Sequence, residues 1–381
     1  MKVLAVSGTR ADWGLLCPVL LALKDRGVDV VLALTGQHLS PDGDQGRAVA
    51  ASGFPSFHRI DMGLTSDDSP RATGAAMGLG LSGMARMLAE VRPDLLLVLG
   101  DRYEMLAMVA AALPARVPVA HIAGGDVTEG AFDDAIRHAI TKLSALHFAT
   151  NAEARTRLLQ MGEAPERVFL TGSPGIDTLL QTPKLDRAML FADLGLDPDR
   201  RPVFLVTFHP PTLSDDAALQ CRALLAALDQ FPDASVIATG SNADPGAREI
   251  DALMQAWVSM RNNAVFRTSL GSQRYVSALA QVDVVIGNSS SGLYEAPSFG
   301  VPTVNVGDRQ ARRPRAVSVV DCAAETGAIV LAIGRALAMG RQAGVTNPYG
   351  DGNAAPRIAD IIAGLDAPAL LIRKSFRDIA S

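Results

Sequence analysis

The segment Gly287–Arg309, which reads GNSSSGLYEAPSFGVPTVNVGDR, constrains the fold more than any other part of the chain. It follows a compact apolar run, Val282–Ile286, that is typical of a strand buried in a parallel sheet. Its serine-rich turn leads into a helix predicted over Leu293–Phe299. Such a turn places backbone N–H groups and hydroxyls in front of a helix N-terminus, where the partial positive charge favours a phosphate. We therefore expect a phosphate site after this strand.

Three residues of this segment support two interpretations. Ser289 and Ser290 would donate hydrogen bonds to the phosphate, and Glu295, in the first turn of the helix, would accept one from a neighbouring ribose hydroxyl. Alternatively, the serines cap the helix and the carboxylate of Glu295 stabilises its N-terminus. Residue types alone leave both interpretations open, because motifs of this kind often occur without a ligand.

Apolar runs of strand length recur along the chain, and polar residues follow each of them. These predicted strands are Val3–Val6, Val28–Leu34, Leu95–Leu99 and Val117–Ile122 in the first half, and Val203–Thr207, Ser235–Thr239, Val282–Ile286 and Val301–Val306 in the second. Helical patterns lie between them. This alternation predicts an α/β fold whose parallel sheets are covered by helices on both faces.

Length and the repeated pattern indicate two similar domains, because 381 residues are too many for one ordinary core. We expect an N-terminal domain over residues 1–174 and a second domain over residues 175–366, facing each other across a central cleft. A C-terminal helix over residues 367–381 would return to the first domain. Residues 62–83, rich in Gly, Ser, Asp and Thr, are predicted to form a mobile loop near the cleft.

Composition limits the classes of partner. The net charge of −5 gives no general attraction for nucleic acid or acidic membranes, so we expect neither as a partner. The three cysteines lie far apart without a CxxC pair, which argues against a disulfide scaffold or a zinc site. The polar turn soon after Met1 leaves no apolar stretch long enough for a signal peptide or a membrane span. We expect a cytoplasmic protein with no metal and no cofactor.

Charged and polar side chains follow several of the predicted strands, which is where ligands of parallel α/β sheets bind. Those we single out are Arg10 after the first strand, Asp101 and Arg102 after the third, and Asn242 after the sixth. A guanidinium at such a position can bind a diphosphate through two parallel hydrogen bonds, or it can form a structural salt bridge. Several strand-end charges that converge on one cleft would indicate a functional site.

Two further groups carry ionisable side chains. Asp133 and Arg137 are four residues apart in a predicted helix, so they are functional candidates, with an ordinary pair on the helix surface as the alternative. His209 precedes two prolines, which would fix the direction of its imidazole. A lone histidine is weak support for a site, and its position after a strand makes it a candidate.

Six short motifs occur in order along nearly the whole chain. They are GTRAD at 8–12, GDR at 100–102, DDAIRHAITK at 133–142, HP at 209–210, GNSS at 287–290 and YGDGNAAPRI at 349–358. Together they resemble the hydrolysing UDP-N-acetylglucosamine 2-epimerases of sialic-acid biosynthesis. The resemblance implies the GT-B architecture, with two Rossmann-like, doubly wound domains. It also implies conversion of UDP-N-acetylglucosamine and water into N-acetylmannosamine and UDP, without a metal or a nicotinamide.

The resemblance also implies roles for individual residues. Those that match nucleotide-diphosphate binding positions are Arg10, Arg102, Ser289, Ser290, Glu295 and Arg309. Those that match positions in or beside the reaction centre are Asp101, Asp133, Arg137 and His209. A small nucleotide sugar is therefore the expected partner.

One motif departs from the sialic-acid enzymes. Where they usually read HIEGGE followed by VTGTIDD, this chain reads HIAGGD followed by VTEGAFDD, so Ala123 replaces a glutamate and Glu129 appears nearby. The TEGA version resembles a related branch that hydrolyses and epimerises nucleotide-linked N,N′-diacetylbacillosamine on the route to legionaminic acid. That sugar has an acetamido group at C4 and a methyl group at C6. Loss of a carboxylate suits such a bulkier, less polar sugar.

The implied reaction explains why these residue types are needed. The C2 proton of an acetamido sugar is a poor acid, so departure of the diphosphate must lead, and preorganised donors would stabilise its charge. A carboxylate then removes the C2 proton to leave a glycal, and water adds while a proton returns to C2 from the other face. Asp101 and Asp133 are the candidates for these two proton transfers, and Glu129 is a substitute for the missing glutamate.

Two other classes of function fit the same residues. One is a GT-B glycosyltransferase, which has a similar nucleotide pocket and a different reaction, and the other is a non-catalytic nucleotide-sugar binding protein. Only the epimerase releases free 2-epimerised sugar in the absence of an acceptor. The sequence leaves UDP and GDP open as the nucleotide, and we expect a homodimer or homotetramer.

Overall fold

Parallel strands form two separate sheets, one in each of two structural units of the computed structural model. The structure describes residues 1–67, 69–127, 132–210, 216–241 and 246–378. Unit 1 comprises Met1–Thr178 and Tyr349–Ser381, and unit 2 comprises Leu179–Pro348. Both units alternate strands and helices, so the predicted α/β fold with two Rossmann-like, doubly wound domains is confirmed.

Unit 1 has a seven-stranded parallel sheet with the order β3-β2-β1-β4-β5-β6-β7. Its strands are β1 (Lys2–Ser7), β2 (Asp29–Leu34), β3 (His58–Arg59), β4 (Leu95–Leu99), β5 (Val119–Ile122), β6 (Leu146–Ala149) and β7 (Val168–Leu170). Its helices up to the boundary are α1 (Arg10–Asp25), α2 (Arg47–Ala51), α3 (Pro70–Val91), α4 (Tyr103–Ala112), α5 (Phe132–Leu143), α6 (Ala152–Gln160) and α7 (Pro174–Gln181). Alternate residues of β1 enter separate hydrophobic clusters on the two faces of the sheet, Val3 in one and Leu4 in the other. Burial on both faces explains why such strands are apolar throughout.

Unit 2 has a six-stranded parallel sheet with the order β10-β9-β8-β11-β12-β13. Its strands are β8 (Val203–Thr207), β9 (Ser235–Thr239), β10 (Ala264–Arg267), β11 (Val284–Gly287), β12 (Thr303–Val306) and β13 (Val319–Cys322). Its helices are α8 (Arg187–Leu194), α9 (Ala217–Leu228), α10 (Ala247–Ser259), α11 (Gly271–Leu279), α12 (Ser291–Tyr294) and α13 (Thr326–Met339).

The chain returns to unit 1 earlier than residue 367. Helix α14 (Ala354–Ala363) belongs to unit 1 because Ile358 and Ile362 join the hydrophobic cluster of that unit. The buried carboxylate of Asp177 accepts hydrogen bonds from the N–H groups of Ala354 (3.1 Å) and Ala355 (2.8 Å) and so fixes the start of α14. The sequence pattern missed this return because it carries no signal for which sheet a helix covers.

As far as residue 378, where the described part of the chain ends, the C-terminal tail lies on unit 1 and the predicted α-helix is not formed. Its regular part is a 3₁₀ turn over Pro368–Ile372. Beyond it the ammonium group of Lys374 donates to the carbonyl oxygens of Thr141, Lys142 and Ser144, at the C-terminal end of α5 (2.7–3.1 Å). The guanidinium of Arg167 also donates to the carbonyl oxygens of Leu371 and Arg373, both at 2.9 Å, so several side chains hold the tail on unit 1.

The predicted mobile loop over residues 62–83 is wrong from Pro70 onward, where α3 begins. Glycines in α3 disfavour a helix when only local sequence is considered. Tertiary packing compensates, because Met84 and Leu88 are buried on one face of α3. Gly80 permits close packing, since a Cβ there would lie 3.0 Å from a carbon of Met108 on α4.

Candidate functional site

The order of the strands locates one ligand-binding edge in each unit. In the first sheet the order reverses between β1 and β4, and in the second sheet it reverses between β8 and β11. Ligands of open parallel sheets bind beyond the carboxyl ends of the strands at such a reversal. Most of the residues singled out from the sequence follow these strands.

Arg137 on α5 is the centre of the charged group in unit 1. Its side chain is 9% exposed and forms an ion pair with the carboxylate of Asp101. Its Nη1 also donates to the carbonyl oxygen of Ala123 (2.9 Å) and lies 3.9 Å from Oδ2 of Asp126. Arg137 is therefore not the helix-surface residue that the alternative interpretation required.

Asp133 lies at the start of the same helix, close enough to Asp101 for the charge of Asp101 to affect its pKa. Burial, followed by repulsion from Asp101, raises the pKa of Asp133 above its usual range. The next residue, Asp134, lies 3.6 Å from His138 in an ordinary i,i+4 pair. Asp101 and Asp133 are thus neighbouring carboxylates in unequal environments, which is the arrangement that general acid and base chemistry uses.

Arg10 and Arg102 line the same cleft of unit 1, which has a volume of about 990 Å³. Helix α1 begins at Arg10, and Thr9 caps it by accepting a hydrogen bond at Oγ1 from the N–H of Asp12 (3.1 Å). The buried carboxylate of Glu104 accepts hydrogen bonds of 2.9–3.2 Å from Arg102 and holds its guanidinium in place. A helix N-terminus next to two guanidinium groups suits a phosphate.

A buried histidine supports the strand end that carries Asp101. Nε2 of His121 lies 2.7 Å from the carbonyl oxygen of Gly100, so this nitrogen carries the proton. Burial lowers the pKa of His121 to about 3, and the imidazole is neutral near pH 7. Gly100 has a φ of +82°, a conformation that glycine adopts easily, and the hydrogen bond fixes this turn.

In unit 2 the serine turn begins where β11 ends. A Cβ at Gly287 would overlap the carbonyl oxygen of Thr207, so the close approach of β11 to β8 requires glycine at this position. The next residue, Asn288, is 1% exposed. Its Oδ1 accepts a hydrogen bond from the N–H of His209, and its Nδ2 donates to the carbonyl oxygen of His209, both at 2.7 Å.

Asn288 is also the residue around which the other candidates of unit 2 lie. Ser289 and Ser290 follow it directly, and Nη1 of Arg309 lies 3.5 Å from its carbonyl oxygen. Oγ of Ser289 accepts a weak hydrogen bond from the N–H of Ser291 (3.4 Å), which tightens the turn. The structure thus brings His209, the serines and Arg309 together within unit 2.

Glu295 occupies a different position from the one predicted. Helix α12 begins at Ser291, earlier than Leu293, so Glu295 follows its last residue instead of lying in its first turn. A 3₁₀ turn over Ala296–Phe299, with Pro297 near its start, replaces the rest of the predicted helix, because proline cannot supply the N–H that an α-helix needs. Glu295 instead directly precedes the 3₁₀ turn, where its side chain forms no capping hydrogen bond.

A hydrogen-bonded chain holds the carboxylate of Glu295. The hydroxyl of Ser291 donates to Glu295 and lies in hydrogen-bond contact with the hydroxyl of Tyr275. Burial raises the pKa of Glu295, and it also raises the pKa of Tyr275, so the phenol keeps its proton. With Ser291 donating to Glu295, the proton of Tyr275 points to Ser291. A carboxylate has about four lone-pair sites, so Glu295 can accept a ligand hydroxyl as well.

Two candidates from the sequence, Glu129 and Asn242, lie outside the described residues. Four residues that the sequence analysis missed contact or support the candidates: Glu104, His121, Tyr275 and Asn288. Asn288 stands inside the quoted GNSS motif and Glu104 follows GDR closely, so both were within reach of a motif argument. Tyr275 carries no such signal, because its contact with Ser291 depends on the packing of α11.

Among the residues that the structure describes, no three His, Cys, Asp or Glu side chains are grouped so that they could hold a metal ion. Within the same ranges, no helix combines the length and the apolar character needed to span a bilayer.

Sequence comparison assigns the chain to a family. The family model described as UDP-N-acetylglucosamine 2-epimerase matches residues 21–363. The chain belongs to this family. The resemblance read from the six motifs is thereby confirmed.

Two relatives of this family member have related names. The "GDP/UDP-N,N'-diacetylbacillosamine 2-epimerase (hydrolyzing)" of Campylobacter jejuni is 35% identical over 323 residues, 84% of each chain. The "UDP-N,N'-diacetylbacillosamine 2-epimerase (hydrolyzing)" of Legionella pneumophila is 32% identical over 376 residues, 98% of each chain.

Solved structures support the fold. The crystal structure of UDP-GlcNAc 2-epimerase from Neisseria meningitidis bound to UDP-GlcNAc has a TM-score of 0.75 to this chain at 23% identity. That comparison covers 95% of this chain and 99% of the other. The predicted GT-B type of architecture is confirmed for this family member.

Proposed function

We propose that this family member is a hydrolysing 2-epimerase that converts nucleotide-linked N,N′-diacetylbacillosamine and water into the free 2-epimerised sugar and the nucleoside diphosphate. The observation that carries the proposal is the pair Asp101 and Asp133, two neighbouring carboxylates at the sheet edge of unit 1, of which Asp101 forms an ion pair with Arg137 and Asp133 has a raised pKa. The names of the C. jejuni and L. pneumophila relatives support the same reaction class.

The residues divide into those that bind and those that move protons. We assign the nucleotide diphosphate to the arginines and to the serine turn, namely Arg10, Arg102, Ser289, Ser290 and Arg309. Glu295 would accept a hydrogen bond from a ribose hydroxyl. The arginines and serines would stabilise the negative charge that develops on the diphosphate as the bond from its oxygen to C1 breaks.

The carboxylates would then act at C2. One of Asp101 and Asp133 removes the C2 proton to form the glycal, and the other returns a proton to C2 from the opposite face as water adds at C1. Arg137 orients Asp101 through their ion pair. His209 and Glu129 are further candidates for a role in the reaction.

The diacetamido sugar is favoured over N-acetylglucosamine by one residue. Ala123 stands where the sialic-acid enzymes have a glutamate, and its carbonyl oxygen contacts Arg137, the partner of Asp101. We infer that the loss of a carboxylate at this position favours a sugar with an uncharged substituent. The same substrate would place the enzyme on a route to legionaminic acid.

Assembly and compartment are part of the proposal. The three cysteines, Cys17, Cys221 and Cys322, are free thiols, which suits a reducing cytoplasm. A homodimer or homotetramer is the assembly that we expect.

A substrate screen without an acceptor tests the proposal. UDP- and GDP-linked N-acetylglucosamine and N,N′-diacetylbacillosamine are incubated with the enzyme, and the products are identified by proton NMR. The proposal predicts release of free 2-epimerised diacetamido sugar. Turnover only after a sugar acceptor is added would indicate a glycosyltransferase, and binding without any product would indicate a binding protein.

A further inference from the structure

We propose that Asn288 is a positioning residue that holds His209 and couples it to the serine turn, so that a nucleotide bound at the turn sets the direction of the imidazole. The proposal rests on the proposed function of this site. It is carried by the two hydrogen bonds of 2.7 Å between the Asn288 side chain and the backbone of His209.

Asn288 lies at the end of the parallel sheet of unit 2. The parallel pairing of β8 with β11 ends at Thr207 and Gly287. One more backbone bond follows, from the N–H of Asn288 to the carbonyl oxygen of Thr207 (3.2 Å). His209 lies two residues after Thr207 and is therefore beyond the regular pairing. The amide of Asn288 then supplies the donor and the acceptor that a neighbouring strand would have supplied.

Asn288 also contacts the segment that follows β12. Its carbonyl oxygen accepts a hydrogen bond from Nε2 of the buried Gln310 (2.8 Å), and Arg309 lies beside the same oxygen. The same peptide group carries the N–H of Ser289, the first serine of the turn. A phosphate that draws the serine turn and Arg309 toward itself therefore acts on the backbone of Asn288, and the side chain of Asn288 transmits the shift to His209.

Loss of the side-chain amide of Asn288 has an energetic cost. Asn288 is 1% exposed, so removal of its amide leaves the N–H and the carbonyl group of His209 to find other partners. Displacement of a reacting group by about 1 Å can reduce a rate by roughly 100-fold. We therefore expect Asn288→Ala to lower kcat by up to about 100-fold with a much smaller change in KM.

Asn305 provides a matched control. It is also an asparagine with 1% exposure, it lies on the neighbouring strand β12, and its amide donates to Asp321 (2.7 Å) without contact to His209. Asn305→Ala should lower the melting temperature and leave kcat close to the wild-type value. An equal loss of kcat in both variants would overturn the proposal, because it would indicate general loosening of unit 2.

A double-mutant cycle separates positioning from independent action. If Asn288 acts through His209, Asn288→Ala should have little further effect on kcat in a His209→Gln background. Multiplying effects would overturn the proposal. Asn288→Asp, which keeps the volume and the acceptor and loses the donor to the His209 carbonyl, is the second variant if Asn288→Ala does not fold.

An NMR measurement keeps this test separate from the reaction. Addition of UDP should shift the imidazole resonances of His209 in the wild-type enzyme. In Asn288→Ala that shift should shrink although calorimetry still detects bound UDP. An undiminished shift overturns the coupling. Failure of all nucleotide sugars to react while the UDP-induced shift persists would instead contradict the proposed function and leave the coupling intact.

Discussion

The carboxylate of Asp101 and the guanidinium of Arg137 form an ion pair in which the arginine is 9% exposed and the aspartate 22% exposed. The two residues are 36 positions apart in sequence, on different elements of unit 1. Because the pair is largely shielded from solvent, it fixes the direction of the Asp101 side chain more firmly than a surface pair would. Asp133 lies near enough for its pKa to respond to that charge.

We predict that Asp101→Asn and Asp133→Asn bind UDP with nearly normal affinity and lose about 10²- to 10⁴-fold in kcat, the usual contribution of a general acid or base. Calorimetry and steady-state kinetics measure the two quantities. Asp134→Asn is the control, because Asp134 pairs with His138 on the same helix and should be almost silent. Near-normal turnover in both Asp101 and Asp133 variants would transfer the proton-transfer roles to Glu129, Asp126 or His209.

Binding of the diphosphate should depend on Arg10 and Ser290. Arg10→Ala and Ser290→Ala each remove a donor to a charged group, so we expect a loss of about 1.5–3 kcal/mol in the binding free energy of UDP. Arg86→Ala, on the exposed side of α3, is the control for the loss of one positive charge. Unchanged affinity in both test variants would mean that the phosphate binds elsewhere.

The identity of residue 123 should affect the choice of sugar. We expect Ala123→Glu to lower kcat/KM for the diacetamido substrate relative to the N-acetylglucosamine substrate. Ala123 has a φ of +64°, which alanine and glutamate both adopt at a cost, whereas glycine adopts it freely. Ala123→Gly should therefore keep the wild-type preference, and a wild-type preference for plain N-acetylglucosamine would contradict the choice of subfamily.

The tail contact at Lys374 should stabilise unit 1 in a pH-dependent way. Burial alone would raise the pKa of Glu163, but hydrogen bonds from His147, Lys142 and Lys374 lower it from 4.5 to about 2. An acid with a lowered pKa in the folded state stabilises the fold above pH 4.5, and this contribution is lost as the pH falls toward 2.

We therefore predict that Lys374→Ala lowers the free energy of unfolding by about 1–3 kcal/mol at pH 7, with a smaller difference below pH 4. Urea unfolding at several pH values measures this difference. The exposed neighbour Arg373→Ala should show little effect at any pH. A difference that stays constant from pH 7 to pH 2 would show that Lys374 acts by packing and not through Glu163.

The sequence predicted those parts of the fold that depend on local pattern. Leu95–Leu99, Val203–Thr207 and Ser235–Thr239 are strands with the predicted bounds, because strands buried on both faces are continuous short apolar runs. Helix α3 was missed because its stability comes from packing on α4. The two-residue strand β3 was missed because it has no apolar run of its own.

The candidate site was predictable to a similar extent. Strand ends point to where ligands bind, which identified Asp101, Arg102 and the serine turn. The partners of these residues depend on tertiary contacts. Arg137 was matched with Asp133 by helical spacing, yet its ion pair is with Asp101 on another element. The hydrogen bonds of Asn288 to His209 join residues 79 positions apart, beyond the reach of any local pattern.

The proposed reaction exchanges the proton at C2 during hydrolysis of a nucleotide sugar. The most direct measurement is proton NMR of the free sugar released from UDP-N,N′-diacetylbacillosamine by the wild-type enzyme in D₂O. We predict a product with the opposite configuration at C2 and with deuterium on that carbon, because the abstracted proton is replaced from solvent. Free sugar that keeps its original proton at C2 would contradict proton exchange at C2 and, with it, the assignment as a 2-epimerase.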